Sequence, residues 1–408
     1  VGLCGGKKGV GEEEIRPAKG VEERAGVLYI TDMGISGMSS SEFGVVGGMP
    51  QLPIAISPNG YYNLALNFSP TSAGVKKAII TLVTSDIDET TYLFAVGGLG
   101  FAPGQMGPST SQTPYLISTT PGVSFGSILT AGESVNGYKM CGTPDGIGAF
   151  DNNDGTFTMV MNHEFGNTAG VTRAHGSAGA FVSKWVINKS NLSVVSGSDL
   201  IKNVNLWNGT GYTTYNATNP STKAAFNRFC SADLPAVSAF YNSNTGKGTK
   251  ERLFMNGEEA GTEGRGFAHI VTGSNAGTSY ELPFLGKFSM ENLLACPIES
   301  DKTIVAGTDD ATPGQVYFYI GTKSSTGNEI EKAGLVGGKL FGPSVTGLAT
   351  EASGSAPAPD LTFTMVDLGV VKDSTGVAIN KMSDAKSVTA FLRPEDGVWD
   401  PNSKGDFY

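Results

Sequence analysis

The stretch Thr156 to Glu164, TFTMVMNHE, is an apolar run of strand character that ends directly on a carboxylate. Three other stretches do the same: ERLFMNGEE to Glu259, TIVAGTDD to Asp310 and TAFLRPED to Asp396. Solvated acids normally alternate along a strand. Gathered at its end they repel one another unless a cation joins them, so four such knots point to a metal site. Oxygen donors in this number favour Ca2+, Mg2+ or oxidised iron over zinc.

Composition agrees with a strand-built chain. Among 408 residues there are 57 glycines and only 16% charged residues, leaving little material for amphipathic helices. With 38 acids against 28 bases the net charge is −10, which repels phosphate backbones and anionic lipid, so no nucleic-acid partner is expected. No apolar run is long enough for a membrane span, and the first residues lack the apolar stretch of a secretion signal. The absence of an initial Met and the stop at GDFY suggest a fragment or processed product, truncated at its C-terminus.

Residues 1–26 mix charge and glycine without period and are expected to be a disordered lead-in. Strand patterns follow from Val27 to Gly100, and residues 101–118, rich in Pro, Gly, Ser and Thr, read as a linker. The remainder, 119–408, is β-rich. Its acid knots at 164, 258, 309 and 395 are separated by 94, 51 and 86 residues, close to two, one and two units of about 45 residues, a propeller-blade period. The inner strands of a propeller deliver side chains to one central channel, so acids remote in sequence converge. The expected fold is all-β: an incomplete β-propeller preceded by a small immunoglobulin-like β-sandwich.

Cys4, Cys141, Cys230 and Cys296 are far apart with no CxxC. Cys141 and Cys230 lie beside acid-bearing segments and could ligate metal, but they read better as small buried hydrophobes. His163, His175 and His269 are expected to satisfy local hydrogen bonds rather than bind metal. Asp151-Asn152-Asn153-Asp154-Gly155 lacks the spacing of a calcium loop and reads as a hairpin turn, and Glu263 and Arg265 read as a surface pair.

Two resemblances add to this reading. The stretch NGYYNLALNFSPTSAGVKKAIITLVTSDIDETTYLFAVGGLG (59–100) resembles the second half of an ASH (choice-of-anchor D) module, a stalk or adhesive unit of exported proteins. The segments VNGYKMCGTPDGIGAFDNNDGTFTMVMNHE, RLFMNGEEAGTEGRGFAH, LPFLGKFSMENLLA, IVAGTDDATPGQVYFYIG and FLRPEDGVWDPNSKGDFY resemble, in that order, the PhoX-type alkaline phosphatases over residues 115–408. That resemblance implies an exported, extracellular, periplasmic or cell-surface enzyme that hydrolyses phosphate monoesters with an iron (Fe3+) and calcium (Ca2+) cluster. It further implies Glu164, Glu258 or Glu259, Glu291, Asp309 or Asp310, and Glu395 as metal ligands, with Arg393 on the substrate phosphate and Asn162 of the NHE motif beside it. The chain departs from the family pattern at Ser289-Met290-Glu291, where a histidine is expected before the glutamate, and at Gly257, where a cysteine is expected. The alternative is a calcium-stabilised surface propeller with an adhesive module, binding a partner without catalysis.

Overall fold

The computed structural model describes residues 2–4, 9–15, 26–58, 60–70, 74–87, 90–100, 104–118, 120, 123–351 and 361–408. The chain divides into two compact units, Val1–Thr130 and Ala131–Tyr408. Both are built from strands, and the longest helix described is Gly376–Ala385. No helix among the described residues is long and apolar enough to cross a membrane.

The first unit is a sandwich of a five-stranded and a three-stranded sheet. Alternation along Tyr62–Phe68 and Gly74–Thr84 sends Leu64, Leu66, Phe68, Ala78, Ile80 and Leu82 into one core between the sheets, the outcome that period-two patterning dictates. Gly2–Cys4 and Gly9–Ile15, inside the stretch expected to be disordered, are strands paired with Thr91–Gly100 and Tyr62–Phe68.

Three sheets dominate the second unit. Sheet I runs Pro144–Asp151, Thr156–His163, Phe181–Asn188, Val194–Asp199 as an antiparallel meander. Its first hairpin turns at Asp151 to Gly155, where Asn153 and Gly155 take positive φ, in keeping with the turn read from the sequence. Sheet II has Phe229–Asp233 at one edge, followed by Leu253–Glu258, Gly266–Ile270, Thr278–Glu281, Asn203–Trp207 and Tyr212–Asn216. Sheet III runs Met290–Ala295, Lys302–Asp309, Val316–Thr322, Lys339–Val345 and Phe363–Gly369.

The sheets pack through their faces. Val160 and Val182 of sheet I share a core with Phe229, Phe254 and Phe267 of sheet II, and Leu253, Met255 and Ala268 share a second core with Met290, Leu293 and Val305 of sheet III. The edge strands meet as well: Pro144–Asp151 packs on Phe229–Asp233, which packs on Met290–Ala295. Glycine makes the first approach feasible, because a Cβ on Gly146 would lie 2.3 Å from the Ala232 amide nitrogen. The fold is all-β, with blade-like sheets side by side, and the described residues do not close a ring of them. The period read from the sequence needs correction: Glu164 and Glu259 end the second strands of consecutive sheets, so their interval is one step of the fold rather than two.

Candidate metal centre

One device is repeated in all three sheets. Pro144 pairs with His163, Phe229 with Glu258, and Met290 with Asp309, and each ladder is interrupted directly after that pair on the edge strand. The following residue of the second strand turns its N–H to the carbonyl before the pair: Glu164 donates to Thr143 at 3.0 Å, Glu259 to Arg228 at 3.0 Å and Asp310 to Ser289 at 2.9 Å. An irregularity of this kind re-aims side chains at a sheet edge. It leaves Asp145 with Glu164, Cys230 with Glu259, and Glu291 with Asp310 at matching positions of sheets I, II and III.

These residues converge. Ligand atoms of Asp145, Glu164 and Cys230 all lie within 4.8 Å of one another, and so do those of Cys230, Glu259 and Glu291. Cys230 belongs to both groups, and its Sγ lies 3.4 Å from an Asp145 carboxylate oxygen. Ser231 donates to Glu291 at 2.9 Å, and the Glu259 and Asp310 carboxyls are within hydrogen-bonding reach of each other.

The segment Arg393 to Asp396, which is not itself a strand, brings further acids to the same place. Thr143, Arg228 and Arg393 all have left-handed backbone, with φ of 52°, 49° and 55°, a region that few non-glycine residues occupy. Each stands two residues before a group at the cluster, and Pro394-Glu395 follows Arg393 as Pro144-Asp145 follows Thr143. Arg393 forks onto Asp310 at 2.7 and 2.9 Å and reaches Glu395 at 2.5 Å. Arg228 donates through Nε to Glu164 at 2.9 Å and through Nη2 to Glu259. Asp396 accepts from Asn292 at 3.1 Å and lies 3.4 Å from the Ser231 hydroxyl.

Strand alternation decides which acid of each adjacent pair faces the cluster. Glu258 is buried the other way, bonded to Arg265 through Nε at 2.7 Å and Nη2 at 2.6 Å, and it accepts the Asn227 N–H at 3.0 Å. Arg265 therefore pairs with Glu258 rather than with Glu263, which instead accepts the Gly376 N–H at 3.0 Å. Asp309 accepts the Ser289 N–H at 3.0 Å, and burial pushes its carboxyl up to about 6. Glu259 and Asp310 face the other acids. Asn162 lies beneath them, fully buried, donating to the carbonyls of Cys230 at 2.7 Å and Ser231 at 3.2 Å while accepting from Asn256 at 2.8 Å. A buried chain continues from Asn256 to His269 and Ser279. His163 stacks on Phe181 and meets the Ser183 hydroxyl.

Asp145 and Arg228 are not singled out by the sequence, Asp396 enters it only as the end of the fourth acid knot, and Cys230 reads there as a small buried hydrophobe. Asp145 sits at the start of its strand, where no apolar run precedes it, and a lone cysteine among apolar neighbours looks like core. The usable signal was the likeness of Thr143-Pro144-Asp145 to Arg393-Pro394-Glu395.

The electrostatics suit a cation. Burial raises the carboxyl groups of Asp145, Glu259 and Glu291, and neighbouring acids press each of them further in the same direction. Burial, with Glu291 and Asp145 adding to it, holds the Cys230 thiol well above its usual range. A cation would reverse this, because it favours every deprotonated ligand at once. Arg393 already does so for Asp310, which it holds below the ordinary carboxylate range. Sulfur shared by two sets of carboxylates suits a transition ion, whereas the remaining oxygens suit a harder cation.

No family model matches the chain, and no curated protein matches it. The resemblance of residues 59–100 to an ASH module is thus left without support. Among solved structures, Pseudomonas fluorescens PhoX in complex with vanadate, a transition state analogue, matches with a TM-score of 0.40 and 13% identity, over 64% of this chain and 57% of that one. The chain spans little more than half the length of that protein.

Proposed function

We propose that the second unit carries a metal-dependent phosphomonoesterase site. The observation that supports this reading most is the arrival of Asp145, Glu164, Cys230, Glu259, Glu291 and Asp310 at matching positions of three sheets, with an exposed arginine, Arg393, alongside. A phosphate monoester dianion repels a nucleophile, so its hydrolysis requires concentrated positive charge around the phosphoryl oxygens. The acids are suited to assembling that charge from iron and calcium, with Glu164, Glu259, Glu291 and Asp310 joined by Asp145 and Cys230, and with Glu395 at the rim. Bound cations would supply Lewis acidity and an activated water. The Arg393 fork is held by Asp310, and once a cation engaged that acid its two parallel donors would match two phosphate oxygens. Attack by water forms a new P–O bond as the ester P–O bond breaks, and the leaving alcohol takes up a proton.

Asn162 acts indirectly in this reading. By fixing the Cys230 and Ser231 carbonyls it holds the edge strand that presents the thiol. Glu258 and Asp309 brace the strand ends and are not ligands.

Exposure on the cell surface or in the periplasm would accord with such an activity, and the first unit could then serve as a spacer or adhesive element. Calcium-only binding without catalysis is the competing reading, and the shared thiol weighs against it because calcium prefers oxygen donors. Metal analysis after loading with Fe3+ and Ca2+, followed by assay on an aryl phosphate, tests the proposal. Iron bound together with calcium, turnover abolished by chelator, and loss of metal in Glu164→Ala and Glu259→Ala are expected. Calcium without iron, with no phosphate release, would refute it.

A further inference from the structure

We infer that Arg228 is a second phosphate-holding group, the counterpart of Arg393 at the same acid cluster; this rests on the phosphatase reading above. Four features of the site support it.

First, the two arginines hold the same place in the repeated device. Each has left-handed backbone two residues before a group at the cluster, Cys230 or Glu395, and each donates to a carboxylate directly after a second strand, Glu164 for Arg228 and Asp310 for Arg393. Second, both are accessible. Their side chains are 47% and 60% exposed, whereas Glu164, Glu259 and Asp310 beneath them are 17%, 12% and 6% exposed. Each guanidinium thus lies over the acids with one side open to an incoming anion. Third, the neighbouring arginine is not free to take this part, because Arg265 is committed to Glu258 and to the carbonyls of Lys223 and Ala225. Fourth, the acids that Arg228 contacts are those a cation would engage. A carboxylate that gives its charge to a cation holds arginine less strongly, which leaves the guanidinium donors for another anion.

Two guanidinium groups linked through the adjacent Glu259 and Asp310 carboxyls would favour a particular ligand. A monoester or free phosphate presents three unesterified oxygens and two negative charges, enough to engage both arginines and the cations together. A diester presents two such oxygens and one charge, and one arginine satisfies it. The inference therefore narrows the substrate class to terminal phosphate.

Calorimetric titration of inorganic phosphate into the metal-loaded full chain tests this, comparing wild type, Arg228→Met, Arg393→Met and Arg228→Lys, with the metal content of each measured. Loss of one charge-assisted fork should weaken phosphate at least about tenfold in either Met variant. Arg228→Lys retains a charge between Glu164 and Glu259 but not the fork, so it should still bind phosphate several-fold more weakly than wild type; it also covers misfolding of the Met variant. Unchanged phosphate affinity in both Arg228 variants, beside weakened binding in Arg393→Met, would overturn this inference and leave the phosphatase reading standing. Absence of phosphate binding by the wild type, or its indifference to all three substitutions, would overturn both. Loss of metal from Arg228→Met, with phosphate affinity restored at saturating metal, would make Arg228 only a charge partner of the acids and overturn the inference as well.

Discussion

Replacing Glu258 and Glu259 one at a time, each by Gln, separates a carboxylate that holds the fold from one that faces the cluster. Glu258 is 5% exposed at its side chain and Arg265 19%, so solvent screens this pair little. Breaking such a pair from one side leaves an uncompensated buried charge, at a cost of about 3–5 kcal/mol. For a domain of this size each kcal/mol lowers the melting temperature by about 2–4 °C, so Glu258→Gln should melt roughly 6–20 °C below wild type in chelator. The cost falls on the fold and not on the ligands. Glu259→Gln removes one charge from a crowded set in which burial and nearby acids already raise the carboxyl. Without metal it should melt within a few degrees of wild type, yet it should bind less iron or calcium when loaded. Thermal melting by circular dichroism and metal content by emission spectrometry provide both readouts. A Glu258→Gln protein with wild-type melting and depleted metal, beside a Glu259→Gln protein with full metal, would refute the assignment of faces.

Cys230→Ser keeps the size of the side chain but replaces a soft donor with a hard one, so iron content should fall more than calcium content in loaded protein. Asn162→Ala removes the amide that serves two carbonyls and Asn256, and leaving such buried groups unsatisfied should lower stability by about 1–3 kcal/mol in chelator, read from urea unfolding. Asp233 is partly buried, accepts the Ala295 N–H at 3.0 Å, and has its carboxyl pushed up to about 7 by desolvation despite nearby Arg252. The folded state thus retains a proton that the unfolded chain releases near pH 4. This contribution to stability is full below about pH 4 and is lost as pH rises through about 7, so Asp233→Asn should flatten the stability curve across that window. An unchanged slope would show that Asp233 does not set it.

The strand character of the chain and the acid knots at Glu164, Glu259, Asp310 and Glu395 were legible because an apolar run ending in acids is a local pattern, whereas Glu291 came only with the PhoX-type resemblance. Choosing between Glu258 and Glu259, or between Asp309 and Asp310, was not. Neighbours on a strand face opposite ways, and which face turns to the cluster depends on the pairing of Phe229 with Glu258 and Met290 with Asp309. Those pairings join segments with no common local signal. Cys230 and Asp145 were hidden for a related reason: both lie one residue beyond the point where an edge strand loses register, and that irregularity depends on the partner strand. Glu395 follows no strand of the structure; it stands two residues after the left-handed Arg393, as Asp145 stands two residues after the left-handed Thr143.

The shared position of Cys230 also constrains the order of assembly. A nascent chain holds Asp145, Cys230 and Glu291 on three different sheets, and no fragment containing one sheet alone can offer the full grip. Such distant partners meet late, after slow long-range pairing has occurred. A cation held as proposed would depend on all of them and be captured only by a molecule already close to native, where it would act as a final latch and spare half-finished chains from trapping it in the wrong place.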